Sequence, residues 1–85
     1  MKYNLLYTQR AVRDIKKLDS KIKKRIGQTL LRYRNKPFDY AEVLTDFALG
    51  TYRFRIGEYR VIFDVEDRNI VILRVGHRKE IYRRK

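Results

Sequence analysis

The chain has 85 residues, and 22 Lys and Arg against 10 Asp and Glu give a formal charge of +12, which bounds it to one small domain, residues 1–85, suited to polyanionic rather than neutral partners. No cysteine and a single histidine exclude a disulfide framework and a thiolate metal site and argue against a zinc centre, so no metal or other cofactor is expected. Met1-Lys2-Tyr3-Asn4-Leu5-Leu6-Tyr7 is too short and polar for a signal peptide, and no apolar run approaches the ~20 residues of a membrane span; the expected location is cytoplasmic, with no membrane contact.

In chain order, Lys2 to Tyr7 reads as a strand with Tyr3, Leu5 and Tyr7 on one face. Thr8 offers an N-cap, and Ala11, Val12, Ile15 and Leu18 fall on one side of a helix over residues 8–18. Asp19-Ser20 breaks it and caps a second helix over residues 20–35, in which Ile22, Ile26, Leu30 and Tyr33 recur at helical spacing until Asn35-Lys36-Pro37 ends it. Residues 38–50 form an apolar connection packed on the domain and closed by Gly50. Strands follow at about 51–56, 59–66 and 70–75, the last two joined by a polar turn at Asp67-Arg68-Asn69. The fold class is α+β: an N-terminal strand, an antiparallel two-helix hairpin, then a three-stranded antiparallel meander, with the helices on one face of the sheet.

Basic charge is uneven. Residues 1–36 carry twelve Lys and Arg against two acids, whereas residues 37–73 carry four against seven, and three of those four are Arg53, Arg55 and Arg60. Gly57-Glu58 fits a two-residue turn with glycine first, so Ile56 faces Tyr59 and Arg55 lies opposite Arg60. Tyr52, Phe54, Tyr59, Val61 and Phe63 then share the face toward the helices, and the three arginines share the other, open face. Like charges paired across strands cost about 0.2 to 1 kcal/mol, which a bound phosphate backbone would remove. This makes the hairpin the expected floor of an RNA site. The bland alternative is a set of salt bridges to Glu58, Asp64 or Glu66. An odd-length second turn would bring Arg74 to the arginine face as well.

The element order, with Leu44-x5-Gly50-x-Tyr52-Arg53-x-Arg55-x-Gly57-x-Tyr59-Arg60-Val61-x-Phe63 followed by Val75-Gly76-His77-Arg78-Lys79-Glu80-Ile81-Tyr82, resembles the RelE/ParE superfamily of toxin-antitoxin toxins, and the resemblance spans essentially the whole chain. It points to the RelE branch: small endoribonucleases that cut mRNA in the ribosomal A site, against 16S rRNA, until a RelB-like antitoxin wraps them. By position it implies catalytic roles for Arg55, Arg60, Arg78 and Tyr82, and RNA contacts from Arg53, His77, Lys79 and Arg83. Guanidinium forks suit two-point binding of phosphate oxygens when the substrate's own 2′-hydroxyl attacks the adjacent phosphate without a metal.

One departure bears on mechanism. Arg53 and Arg55 stand where the family carries paired lysines, and arginine, protonated below a pKa of about 12, is a poor general base. Tyr82 and His77 are both candidates for the proton acceptor. Two other readings share the fold: a ParE-like inhibitor of DNA gyrase, which would not depend on the arginine cluster, and an RNA- or ribosome-binding module that has lost cleavage.

Overall fold

In the computed structural model, which describes residues 2–46 and 48–82, five strands form one mixed sheet in the order β1-β5-β4-β3-β2. The elements are β1 (Asn4–Tyr7), α1 (Gln9–Lys16), α2 (Ser20–Tyr33), a 3-10 turn at Pro37–Asp39, β2 (Glu42–Val43), β3 (Tyr52–Ile56), β4 (Tyr59–Glu66) and β5 (Asn69–His77). β1 runs parallel to β5, and the other pairs are antiparallel. The expected order of strand, helix hairpin and meander holds; β2 is an addition that the mixed composition of residues 38–50 concealed. Among the described residues no helix is long and apolar enough to cross a membrane.

Thr8 starts α1 as expected, its hydroxyl accepting from Ala11 N at 3.1 Å. The helix ends at Lys16 rather than 18 because Lys17 N and Leu18 N bond to the carbonyls of Asp14 and Ile15, tightening the last turn. Asp19 precedes α2 without a side-chain cap. Ile26 and Leu30 of α2 and Ala11 of α1 bury against Phe54, Val61, Phe63, Ile70, Ile72 and Val75. Phe54 and Phe63 stack with centroids 4.2 Å apart, and Tyr33 meets Phe54 edge-on at 5.1 Å. The apolar face of the meander is thus the one its alternation indicates.

The second turn is two residues long, with Glu66 opposite Asn69, but a bulge intervenes: Phe63 pairs with Ile72 while Ile62 pairs with Arg74. Leu73 is the extra residue, and its presence switches parity for the rest of β5. Val75 thereby enters the core opposite Val61. Beyond Ile72, β5 has lost its neighbour β1, and side chains of α1 take over its free edge. Thr8 Oγ1 donates to Leu73 O at 3.3 Å, and the nearly buried Asp14 carboxylate accepts from Val75 N at 3.0 Å and Arg74 Nε at 2.8 Å. Backbone groups that would otherwise be orphaned are satisfied.

The arginine face is only partly open. A second, smaller cluster of Leu44, Ile62 and Ile81, with Leu49, Leu73 and Tyr82 against it, covers part of that face. Gly50 makes the close approach possible, since a Cβ there would lie 2.6 Å from Ile62 Cγ2 and 2.9 Å from Leu73 Cδ1. After β5 the chain folds back, Glu80 N and Ile81 N both bonding to His77 O at 2.9 Å, and this turn carries Ile81 into the cluster.

Candidate functional site

The β3–β4 hairpin has the register its turn dictates, with Ile56 opposite Tyr59 and Arg55 opposite Arg60. Gly57 sits at φ 60°, a left-handed conformation that favours glycine, and Arg25 of α2 lies so close that a Cβ would meet its Nη1 at 2.7 Å. The paired arginines part company from there. Arg60 folds back along its own hairpin, only 5% exposed, and its Nη1 donates to the carbonyls of Gly57 at 3.0 Å and Tyr59 at 2.8 Å. Arg55 stays in solvent, its Nη1 3.7 Å from Glu42 Oε2. The expectation that Arg60 stands on an open face is therefore corrected. Turn carbonyls and a carboxylate offset the like-charge pairing inside the protein, so that pairing by itself does not demand an external anion.

Arg53 is the hub of a second group. β2 sets Glu42 directly opposite it, and Arg53 Nε donates to Glu42 Oε1 at 2.9 Å while its Nη1 donates to the Tyr82 hydroxyl at 2.7 Å. The Arg53 guanidinium carbon is 5.8 Å from the centre of the Tyr82 ring. The hydrogen bond from Arg53 holds the Glu42 carboxyl below the usual carboxylate value, with desolvation opposing it and the charges of Arg53 and Arg55 adding to it. Arg53 itself is shifted up, first by the bond to Tyr82 and then by Glu42, with burial opposing. Val43, Leu44, Thr45, Asp46 and Leu49 join Arg53 and Tyr82 around a cleft of about 280 Å³.

Arg78 closes the far end of the hairpin, its backbone N donating to Glu58 O at 2.8 Å and its Nε pairing with Glu58 Oε2 at 2.5 Å. Both side chains are more than half exposed. Of the carboxylates expected to hold the hairpin arginines, Asp64 instead accepts from Thr51 N at 2.8 Å, and Glu42, which no sequence signal singled out, takes both Arg53 and Arg55. His77 is not brought to the arginines. It pairs with Tyr59, whose side chain faces the helices, and sets its ring edge-on to the Tyr59 ring at 5.4 Å. Its Nδ1 accepts from Lys79 N at 3.1 Å, in the exposed turn that follows β5. Arg83, expected as an RNA contact, lies outside the described residues. Arg74 follows Ile62 in the ladder but turns to Asp14, away from the cluster. Among the described residues no three His, Cys, Asp or Glu side chains gather in a way that could hold a metal ion.

A helix hairpin on one face of a mixed sheet, with an arginine-rich hairpin showing on the other, is the architecture of the RelE/ParE toxins of type II toxin-antitoxin systems. The toxin-antitoxin complex RelBE2 of Mycobacterium tuberculosis contains a chain that superposes with TM-score 0.82 at 29% identity, over 91% of this chain and 99% of that one. In sequence, the chain is 33% identical to Toxin RelG of Mycobacterium tuberculosis over 87 aligned positions, covering 99% of this chain and all of the relative. It is 31% identical to Toxin RelE3 of Methanocaldococcus jannaschii, covering 92% of this chain and 93% of the relative. Residues 5–82 match the family described as ParE toxin of type II toxin-antitoxin system, and the chain belongs to that family.

Proposed function

We propose that this toxin is an endoribonuclease of the RelE kind, cutting mRNA in the ribosomal A site and so inhibiting translation. The observation that carries the reading is the placement of Arg53, Arg55, Arg60 and Arg78 along one hairpin and the turn packed on its end, with Tyr82 hydrogen-bonded to Arg53. In the proposed step the substrate 2′-oxygen bonds to the adjacent phosphorus, and the bond from phosphorus to the 5′-oxygen breaks. A 2′,3′-cyclic phosphate and a 5′-hydroxyl result. The 2′-hydroxyl proton must leave and the departing 5′-oxygen must gain one, while the pentacoordinate state carries an added negative charge.

Arg55, Arg60 and Arg78 are the groups proposed to meet that charge. Both of Arg60's bonds to carbonyls leave from Nη1, and burial fixes the orientation of the remaining guanidinium edge. Tyr82, whose oxygen accepts from Arg53, is assigned to orient the 2′-hydroxyl and, as the phenolate, to take its proton, because His77 faces Tyr59 instead. Arg53 is assigned to the scissile phosphate beside Arg55, and Lys79 and Arg83 to flanking phosphates. Ribosomal RNA would supply the rest of the alignment by holding the message in line. Solved complexes of similar toxins contain RelB, and a RelB-like acidic chain that folds on binding is the antitoxin proposed here.

Primer extension on message in programmed ribosomes tests this directly. The wild-type protein should cut within the A-site codon and Arg78→Ala should not, with its circular dichroism unchanged. Stalled ribosomes carrying intact message would favour occlusion without cleavage. Because the matched family takes its name from ParE, gyrase poisoning is the second reading, and inhibition of plasmid relaxation by gyrase that survives Arg55→Ala and Arg78→Ala would favour it.

A further inference from the structure

Glu42 has no part in that chemistry, yet its carboxylate lies within the arginine group. β2 is only two residues long, an edge strand whose one pairing with β3 brings Glu42 opposite Arg53 and onto the arginine face. One oxygen, Oε1, is 2.9 Å from Arg53 Nε, and the other, Oε2, is 3.7 Å from Arg55 Nη1. A carboxylate that gives one oxygen to each of two guanidinium groups imitates a phosphodiester, whose two non-bridging oxygens would be gripped in the same way. We propose that Glu42 is a built-in substitute anion, filling the fork of Arg53 and Arg55 in the free toxin and yielding it to an RNA phosphate. This rests on the reading of the arginine face as an RNA site.

Three observations support displacement rather than a fixed structural role. The Glu42 side chain is 43% exposed and can move into water without leaving a buried group unpaired. Its carboxyl is an anion at neutral pH, held below the usual carboxylate value by the bond from Arg53, so it competes with a phosphate as a charge. The strand that bears it makes only two ladder pairs, so rotating the side chain disturbs little else.

Charge determines what the exchange does. A carboxylate and a ground-state phosphodiester each carry one negative charge, so swapping them gains little and free RNA is held weakly. The pentacoordinate state carries about one charge more, and the gain appears there. Glu42 therefore suppresses binding to RNA in general while leaving the transition state its full complement of guanidinium groups.

The test uses Glu42→Gln, with Glu66→Gln, the same charge change at the other end of β4, as control. Affinity for a 2′-O-methyl oligouridine, which cannot be cleaved, is read by fluorescence anisotropy. Glu42→Gln should bind about three- to tenfold more tightly than Glu66→Gln, the range expected for removing two competing surface ion pairs, and should still cut message on ribosomes. Equal affinities for the two variants overturn the proposal, as does weaker binding by Glu42→Gln, which would make Glu42 an organiser of the arginines. Unchanged affinity with cleavage lost, and with the acidic limb of the pH–rate profile removed, would make it the proton acceptor and also overturn the proposal.

A second titration, of inorganic phosphate against the Arg53 and Arg55 Nε–H resonances, reads the fork without RNA. Tighter phosphate binding by Glu42→Gln with no oligouridine binding by any variant would sink the RNA reading and leave the substitute anion standing. Phosphate affinity equal in the wild type and Glu42→Gln would sink the substitute anion alone.

Discussion

Arg60→Ala separates the structural work of this side chain from its proposed chemical work. Two terms oppose one another. Truncation strips the Gly57 and Tyr59 carbonyls of a charged donor, and hydrogen bonds to charged groups contribute about 1.5 to 3 kcal/mol each. Both carbonyls belong to or adjoin the exposed turn, so water recovers part of this loss. Removing the cation also relieves its pairing with Arg55, returning about 0.2 to 1 kcal/mol. The net expectation is a destabilisation of about 1 to 3 kcal/mol. With a urea m-value of about 1 kcal/mol/M for so short a chain, the unfolding midpoint falls by roughly 1 to 3 M. Urea melts followed by circular dichroism measure it. A midpoint within 0.3 M of wild type, a shift of about 0.3 kcal/mol on that m-value, would refute the claim that Arg60 braces the hairpin. Cleavage by the folded variant in low urea, at the wild-type rate, would refute its place in the site. Arg78→Ala, whose side chain is half exposed and pairs with an exposed glutamate, should lose activity without the melt changing.

Gly50→Ala should cost about 1 to 3 kcal/mol in the same melts, because the new methyl overlaps Ile62 and Leu73 in the second cluster. Asp14→Ala should cost about 2 to 4 kcal/mol, since it leaves the Val75 N–H without its acceptor and Arg74 without its partner; Asp14→Asn should recover part of that. Glu42 has a folded pKa below its ordinary value, so its contribution is complete above about pH 4.5 and disappears as pH falls through the lower folded value. Urea midpoints measured between pH 6 and pH 3 should accordingly fall less for Glu42→Gln than for the wild type.

The hairpin was legible because a glycine-led two-residue turn fixes register, and register fixes every face in a period-two strand. The helices were legible through their apolar spacing and the Thr8 cap. What escaped had no local signature. β2 is too short to show a period, and without β2 there was no reason to bring Glu42 to Arg53. The bulge at Leu73 is a one-residue event in an unremarkable run, Ile72-Leu73-Arg74-Val75, yet it decides which of Arg74 and Val75 is buried. Alternation also assigns Arg60 to a face without saying that the side chain curls under its own turn. The resemblance marked Tyr82 by position, but its approach to Arg53 was not legible: it depends on Ile81 seating between Leu44 and Ile62, contacts far apart in the chain.

Like-charge pairing alone does not make the hairpin a polyanion site. Arg55 and Arg60 face one another as the turn requires, but each has found compensation within the protein. Charge balance over the whole hairpin is what favours a bound anion. Arg53, Arg55, Arg60 and Arg78 bring four fixed positive charges, and among the described residues Glu42 and Glu58 form ion pairs with three of them. Carbonyls from Gly57 and Tyr59 solvate Arg60 without neutralising it. Set against those two carboxylates, the four arginines leave a surplus of two charges along the hairpin, and both carboxylates are exposed enough to be displaced. A site organised for salt bridges alone would match its charges. This one stops short by about the total charge that a phosphodiester carries in its pentacoordinate state, one from the ground state and about one acquired.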